Sequence, residues 1–167
     1  SARTIQAQPR RLGKNYFCSP DSSRWQAHSE DGGGAMNMTA LEMIEYCYNE
    51  LGWSFTLLNG KKPIRPGWQK EDRLSFDVIQ KHFISGGNIG LLTGLASKVV
   101  VVDKDPGGKL PNNLEATVEV ATGRTDAKHF YFYHDQPLRN SVGKIAKNID
   151  IRADGAQVVF PGSIHPE

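Results

Sequence analysis

The spacing of apolar residues along the chain predicts a protein with both helices and strands. From Leu41 to Leu51 the apolar residues recur at helical spacing. The sequence Thr39-Ala40-Leu41-Glu42 at the start of this stretch matches a capping box. A second short helix is predicted over residues 76–84, where the same periodicity lies between a serine and two glycines.

Strands are predicted where short apolar runs are rich in β-branched or aromatic residues. The predicted strands cover residues 53–58, 88–94, 99–102, 117–121, 130–133, 149–152 and 157–160. We expect Asp154-Gly155 to join the last two strands as a hairpin, and residues 136–147 to be a polar connection. Together these elements predict an α+β fold.

The run Val99-Val100-Val101-Val102 indicates a strand that is buried on both faces. Because side chains alternate along a strand, Asp103 and Asp105 should share one face and Lys104 the other. Two unpaired carboxylates there would repel each other, and a divalent cation would relieve the repulsion. On that argument, asparagine at either position should keep or raise the stability. The sequence Asp105-Pro106-Gly107-Gly108 is also typical of a simple turn, which these residues alone favour, so both interpretations stay open.

Two further residues could extend this site. Asp150 lies between two isoleucines in a predicted strand, so it should face away from them, which is costly in a core unless it binds a metal or a cation. His129 begins the aromatic strand and follows Arg124 and Lys128. A histidine in this position is either a satisfied edge residue or, beside two cations and a metal site, a ligand for a phosphate oxygen.

A basic loop follows the Asn59-Gly60 turn and contains Lys61, Lys62 and Arg65, with Trp68 nearby. Such a loop is compatible with a solvated surface and with contacts to a phosphate backbone or a nucleotide. The residues alone do not separate these two interpretations.

Composition limits the class of protein. At 167 residues the chain suits one domain, and its 38% hydrophobic and 23% charged residues are ordinary for a globular protein. Its two cysteines exclude a disulfide framework and a four-cysteine zinc site, so a cytoplasmic location is expected. No apolar run reaches the length of a membrane span, and no membrane partner is expected.

Residues 1–38 differ from the rest of the chain, being rich in Ser, Gly, Gln and Arg. We predict a flexible or loosely docked arm there, one interpretation being an added segment before a native start near Met36 or Met38. These residues hold five Lys/Arg and three Asp/Glu, whereas residues 39–167 hold fifteen of each. Any nucleic-acid surface on the domain must therefore be local.

The order of motifs over residues 39–167 resembles the bifunctional DNA primase/polymerase (Prim-Pol) domain of the archaeo-eukaryotic primase superfamily. After the first helix the motifs in order are Gly52-Trp53, Lys62-Pro63, Trp68, Asn88-Ile89-Gly90, Thr93-Gly94, Asp103-Lys104-Asp105, His129, Ile149-Asp150-Ile151-Arg152 and Pro161-Gly162-Ser163. The resemblance implies a primase-like catalytic sheet, mixed or antiparallel and related to the RNA-recognition fold, beside an N-terminal α/β unit.

The resemblance also implies roles for single residues. The family's acid pair matches Asp103 and Asp105, and its later acid, which follows a hydrophobic residue, matches Asp150. These would hold two Mg²⁺ or Mn²⁺ ions. The motif of a small residue, any residue and histidine matches Ala127-Lys128-His129, although the family often has a hydroxyl residue or glycine where Ala127 stands. The residues expected to bind the nucleotide are His129, Lys128, Arg124 and Ser163, and those expected to contact nucleic acid are Lys61, Lys62 and Arg65.

The expected function is therefore template-directed nucleotidyl transfer from nucleoside triphosphates on a DNA template or primer. Family members often act in the replication of plasmids, phages or mobile elements, ahead of a helicase. The chain ends soon after Ser163, where family members usually continue, so the domain is expected to be C-terminally minimal. Two alternatives stay open: a metal-dependent nuclease, in which the same acids activate water, and a non-catalytic nucleotide-binding or nucleic-acid-binding module.

Overall fold

A computed structural model of the chain describes residues 15–18, 24–28, 36–112, 118–122 and 124–164. The helices are α1 (Ala40–Asn49) and α2 (Phe76–Ile84), and Trp68–Lys70 form a short 3-10 helix. The strands are β1 (Asn15–Cys18), β2 (Arg24–His28), β3 (Met36–Thr39), β4 (Phe55–Asn59), β5 (Lys62–Pro63), β6 (Asn88–Leu92), β7 (Val99–Lys104), β8 (Val118–Ala121), β9 (Lys128–Tyr133), β10 (Ser141–Ala146), β11 (Ile149–Arg152) and β12 (Gln157–Val159).

Within the described residues these strands form two sheets. The large sheet has the order β10-β11-β7-β9-β8-β1-β2-β3, and the small sheet has the order β12-β6-β4-β5. Neighbouring strands are antiparallel except β1 and β8, which run parallel and make the large sheet mixed. The α+β class is thereby confirmed, whereas the relation to the RNA-recognition fold stays a prediction.

Both predicted helices are present. In α1, the Glu42 N–H donates to Thr39 Oγ1 and the Thr39 N–H donates to Glu42 Oε2, each at 3.2 Å, which completes the capping box. α2 has the predicted bounds, but the Ser75 side chain makes no capping hydrogen bond. None of the described helices is long and apolar enough to cross a membrane.

β7 is buried on both faces, as its valine run predicts. Val99 and Val101 belong to the main core, which includes Tyr131 and residues of α1 and the small sheet. Val100 and Val102 belong to a second core on the opposite face of the large sheet. This alternation fixes the side chains that follow, because Asp103 continues the face of Val101.

The predicted hairpin between β11 and β12 is wrong. β11 lies between β10 and β7, so neither of its edges is free to accept another strand. β12 instead pairs with β6 in the small sheet. The turn between the strands is fastened to the end of β6, because Thr93 Oγ1 donates to the Ala153 carbonyl at 2.6 Å and the Leu95 N–H donates to Asp154 Oδ1 at 2.9 Å.

Two other segments contain strands that the sequence analysis does not predict. The expected polar connection over residues 136–147 contains the edge strand β10, which forms by pairing with β11. The strands β1, β2 and β3 lie within or at the end of the predicted arm and extend the large sheet beyond β8. The flexibility of the arm and the domain boundary after residue 38 stay predictions.

Candidate active site

One row of four side chains, three of them polar, crosses the large sheet. In the strand register Asp150 lies opposite Asp103, Asp103 lies opposite His129, and His129 lies opposite Val120. Residues directly opposite each other in an antiparallel pair point to the same face of the sheet. Two carboxylates and a histidine are therefore neighbours on the face that, further along β7, packs into the main core.

The two carboxylates share a cation. Arg152 Nη2 lies 3.1 Å from Asp150 Oδ2 and 3.7 Å from Asp103 Oδ2. Asp103 Oδ1 also lies 3.4 Å from His129 Nε2, and Asp150 Oδ1 accepts a hydrogen bond from the Gly143 N–H at 2.9 Å. The acids are largely buried, with side-chain exposures of 19% for Asp103 and 15% for Asp150. Arg152 thus offsets the repulsion between Asp103 and Asp150.

These contacts determine the ionisation of Asp103. Burial acts to raise the pKa of Asp103, but the hydrogen bond and charge of His129, together with the charges of Arg152 and Arg124, outweigh it and hold the pKa below its ordinary value of 3.8. The carboxylate is therefore ionised at neutral pH and is available to a cation.

The loop after β7 holds the second acid of the pair. Asp105 Oδ1 accepts a hydrogen bond from Arg124 Nη2 at 2.5 Å. On the opposite face, Lys104 Nζ lies 2.7 Å from Asp126 Oδ1, and the Gly107 N–H donates to Asp126 Oδ2 at 3.1 Å. The hydrogen bond from Lys104, followed by that from Gly107, lowers the pKa of Asp126. Asp126 therefore fastens the loop of Asp105 to the turn that carries Arg124.

A cavity of about 400 Å³ opens beside the row, between the two sheets. It is lined by Lys61, Asp103, Asp105, Val120, Ala121, Thr122, Arg124, His129, Arg152, Gln157, Val158, Val159, Phe160, Pro161 and Ser163. Two polar atoms of these residues, His129 Nδ1 and Gln157 Oε1, are buried without a hydrogen-bond partner among the described residues. Because both atoms are shielded from solvent, a ligand in the cavity reaches them only if these side chains move.

The family model described as bifunctional DNA primase/polymerase, N-terminal (Prim-Pol), matches residues 45–167. The chain belongs to the Prim-Pol family. Membership implies DNA primase/polymerase activity of the nucleotidyltransferase type, with DNA and nucleotides as substrates. No curated protein matches the chain.

The cavity brings together six of the ten residues predicted for a Prim-Pol site. They are Lys61, Asp103, Asp105, Arg124, His129 and Ser163. Asp150 lies beside Asp103 through the strand register but does not line the cavity. The hydroxyl of Ser163 bonds to the N–H and carbonyl of Ile89, so in this structure it fastens the chain after β12 to β6.

Besides Asp150, three predicted residues lie outside the cavity. Lys128 alternates with His129 along β9, so it points to the opposite face and pairs with Glu119. Lys62 is exposed on β5, and Arg65 pairs with Glu71 at 2.6 Å. The body of the sheet therefore separates Lys128 from the cavity.

Sequence reasoning missed Arg152 and Gln157. Arg152 is two residues after Asp150 in the same predicted strand, so the alternation of side chains alone places both on one face. That signal was sufficient to find Arg152. Gln157 reaches the cavity only because β12 joins the small sheet, and no local pattern indicates this pairing.

The candidate acids have the oxygen ligands that a divalent cation needs, and two of the three are also suitably placed. Mg²⁺ and Mn²⁺ prefer carboxylate oxygens, and Asp103 and Asp150 offer these on one face with an arginine between them, where a positive charge is needed. Asp105 turns to Arg124 instead. Among the described residues no three acidic, histidine or cysteine side chains converge into a ready cage. Binding of two ions would therefore require Asp105 to exchange Arg124 for a metal.

Proposed function

We propose that the domain carries out template-directed nucleotidyl transfer by a two-metal mechanism, making or extending a nucleic-acid strand from nucleoside triphosphates. The observation that carries the proposal is the row of Asp150, Asp103 and His129 at the edge of a polar cavity. Acids from two paired strands beside a histidine are what this chemistry needs, since the metal ligands must be rigidly placed next to the nucleotide.

Asp103, Asp105 and Asp150 would hold the ions. When bound, the ions supply Lewis-acid activation of the attacking 3′-hydroxyl and neutralise charge on the triphosphate and its leaving pyrophosphate. Asp103 is suited to this role because its lowered pKa keeps it ionised at neutral pH. Asp150 is held by the Gly143 N–H, which fixes the orientation of its carboxylate.

The cationic side chains would bind the triphosphate. His129 lines the cavity, and its imidazole would contact a phosphate oxygen of the nucleotide. Arg152 and Arg124 each neutralise carboxylates in the structure. With those carboxylates bound to ions, both guanidinium groups are available for charge-assisted contacts to phosphate.

The polynucleotide would approach along the basic loop before α2. Lys61 lines the cavity, and Lys62 follows it on an exposed strand. The family resemblance further supports replication of a plasmid, phage or mobile element in the cytoplasm, together with a helicase domain or protein.

Primer extension tests the proposal. The full chain is incubated with a labelled primer on a longer template, with each nucleotide type in turn and with Mg²⁺ or Mn²⁺. We expect the primer to lengthen, and the product to disappear with Asp103→Asn but not with the exposed control Asp77→Asn, whose carboxylate pairs with Lys81 at the surface. Shortening of the labelled strand, or extension that survives Asp103→Asn, would overturn the proposal.

A further inference from the structure

The row of site residues does not end at Asp150. In the register of β10 and β11, Val142 lies opposite Asp150 and therefore on the same face as both candidate metal ligands. Val142 is 65% exposed, although the Asp150 side chain opposite it is only 15% exposed. Val142 thus places an exposed apolar side chain on the face that carries the candidate metal ligands.

β10 departs from regular pairing directly after Val142. The register shifts between Val142 and Ala146, so Gly143, Lys144 and Ile145 bulge out of the sheet. The Gly143 N–H holds Asp150, while Lys144 is exposed and Ile145 is 65% exposed. The same bulge thus fixes a candidate catalytic carboxylate and presents a cation and an apolar side chain beside it.

The surrounding segment carries only positive charge. Residues 136–149 contain Arg139, Lys144 and Lys147 and no Asp or Glu. All three cations are exposed, and none has an ion pair or side-chain hydrogen bond with a described residue. The lysines on the neighbouring strands differ, because Lys104 and Lys128 are each neutralised by an acid.

A charged, bulged edge strand can also serve only to prevent sheets from pairing with one another. That explanation accounts for Lys144 and for the bulge. It does not account for Val142 and Ile145, since exposed apolar side chains at an edge favour association.

We propose that Arg139, Val142, Lys144, Ile145 and Lys147, which we call the β10 edge surface, bind a single-stranded polynucleotide that leads to the active site. The cations contact its phosphates, and Val142 and Ile145 lie against its sugars and bases. The proposal rests on the proposed function, because a strand at this edge reaches Asp150 across one strand pairing. It adds a second polynucleotide contact, on the large sheet, to the basic loop of the small sheet.

Binding of a fluorescent single-stranded DNA, measured by anisotropy without metal or nucleotide, tests this surface separately from catalysis. Each phosphate contact on single strands contributes about 0.7 to the slope of log affinity against log salt. Loss of one purely electrostatic contact in Lys144→Met should therefore weaken binding about eightfold at about 50 mM salt and about threefold at about 200 mM. The matched control is Lys81→Met, which removes an exposed lysine of α2, and it should leave the affinity unchanged.

Val142→Thr with Ile145→Thr tests the apolar part and keeps β-branched side chains in the strand. We expect severalfold weaker binding with an unchanged salt slope. Equal affinities of Lys144→Met, Lys81→Met and the native chain would overturn the proposal. So would self-association of Lys144→Met in sedimentation with unchanged DNA affinity, because that outcome assigns the edge to protection against strand pairing. DNA binding without primer extension would leave the β10 edge surface intact and reject only the catalytic proposal.

Discussion

The effect of Asp103→Asn on stability distinguishes two predictions, one made from the sequence alone and one from the contacts of Asp103 in the folded site. The sequence places two acids close together and predicts that asparagine keeps or raises stability. In the structure Asp103 is 3.4 Å from His129 and 3.7 Å from Arg152, so the substitution removes favourable contacts. We therefore expect the metal-free variant to be less stable than the native chain at pH 7.

The magnitude follows from these contacts. Two unit charges about 4 Å apart attract by about 4 kcal/mol at an effective dielectric near 20, but the cost of burial offsets much of this. Removing a hydrogen bond to a charged group costs about 1.5–3 kcal/mol. Arg152 keeps Asp150 as a partner at 3.1 Å, so we expect a smaller loss than this, about 1–2 kcal/mol, or roughly 2–8 °C in Tm.

The pH dependence of stability predicts independently that ionised Asp103 stabilises the fold. Because the pKa of folded Asp103 is below its ordinary value of 3.8, its ionisation stabilises the fold above that value. The stabilisation is lost as the pH falls through the folded pKa. The difference between the native chain and Asp103→Asn should therefore be full at pH 7 and shrink below about pH 3.8, where the native chain also loses the charge.

Urea unfolding with a chelator present, at pH 7 and at acidic pH, measures these differences, and primer extension with Mn²⁺ measures activity in parallel. Asp77→Asn is the matched control, since its exposed pair with Lys81 should contribute less than about 1 kcal/mol. A variant as stable as the native chain at pH 7 would refute the electrostatic argument. Retained extension would refute the metal-ligand role.

Three further substitutions address other parts of the site and the fold. His129→Ala should weaken triphosphate binding about tenfold to a hundredfold and Mn²⁺ binding less, because a charge-assisted phosphate contact is lost; calorimetry showing the reverse would make His129 a metal ligand. Arg152→Met should lower metal-free stability by about 1–2 kcal/mol, since two facing carboxylates lose their shared cation; unchanged urea unfolding contradicts this. Gly94→Ala should lower Tm more than Gly52→Ala does. The backbone strain is similar, since φ is +74° at Gly94 and +69° at Gly52, but only at Gly94 would the new Cβ come within 2.5 Å of the Asp154 backbone. Equal decreases in Tm would contradict this.

The sequence by itself determined those features that depend on local chemistry. The capping box at Thr39, the bounds of α2 and the two-sided burial of β7 follow from residue type and periodicity, and each is present. The same alternation separates Asp103 from Lys104, because the period of a strand needs no tertiary information. The order of separated motifs was sufficient to indicate the family, since that order is a property of the chain alone.

The tertiary structure decided which elements meet. β11 has both edges occupied, so β12 crosses to the small sheet and brings Gln157 to the cavity. The strand register, which depends on long-range pairing, placed Asp150 opposite Asp103. It also provided Arg152 as the shared cation, which reverses the sign of the stability argument made from two adjacent acids. A charge known only by its sequence neighbours has no defined partner, because its energy depends on distances and burial that folding sets.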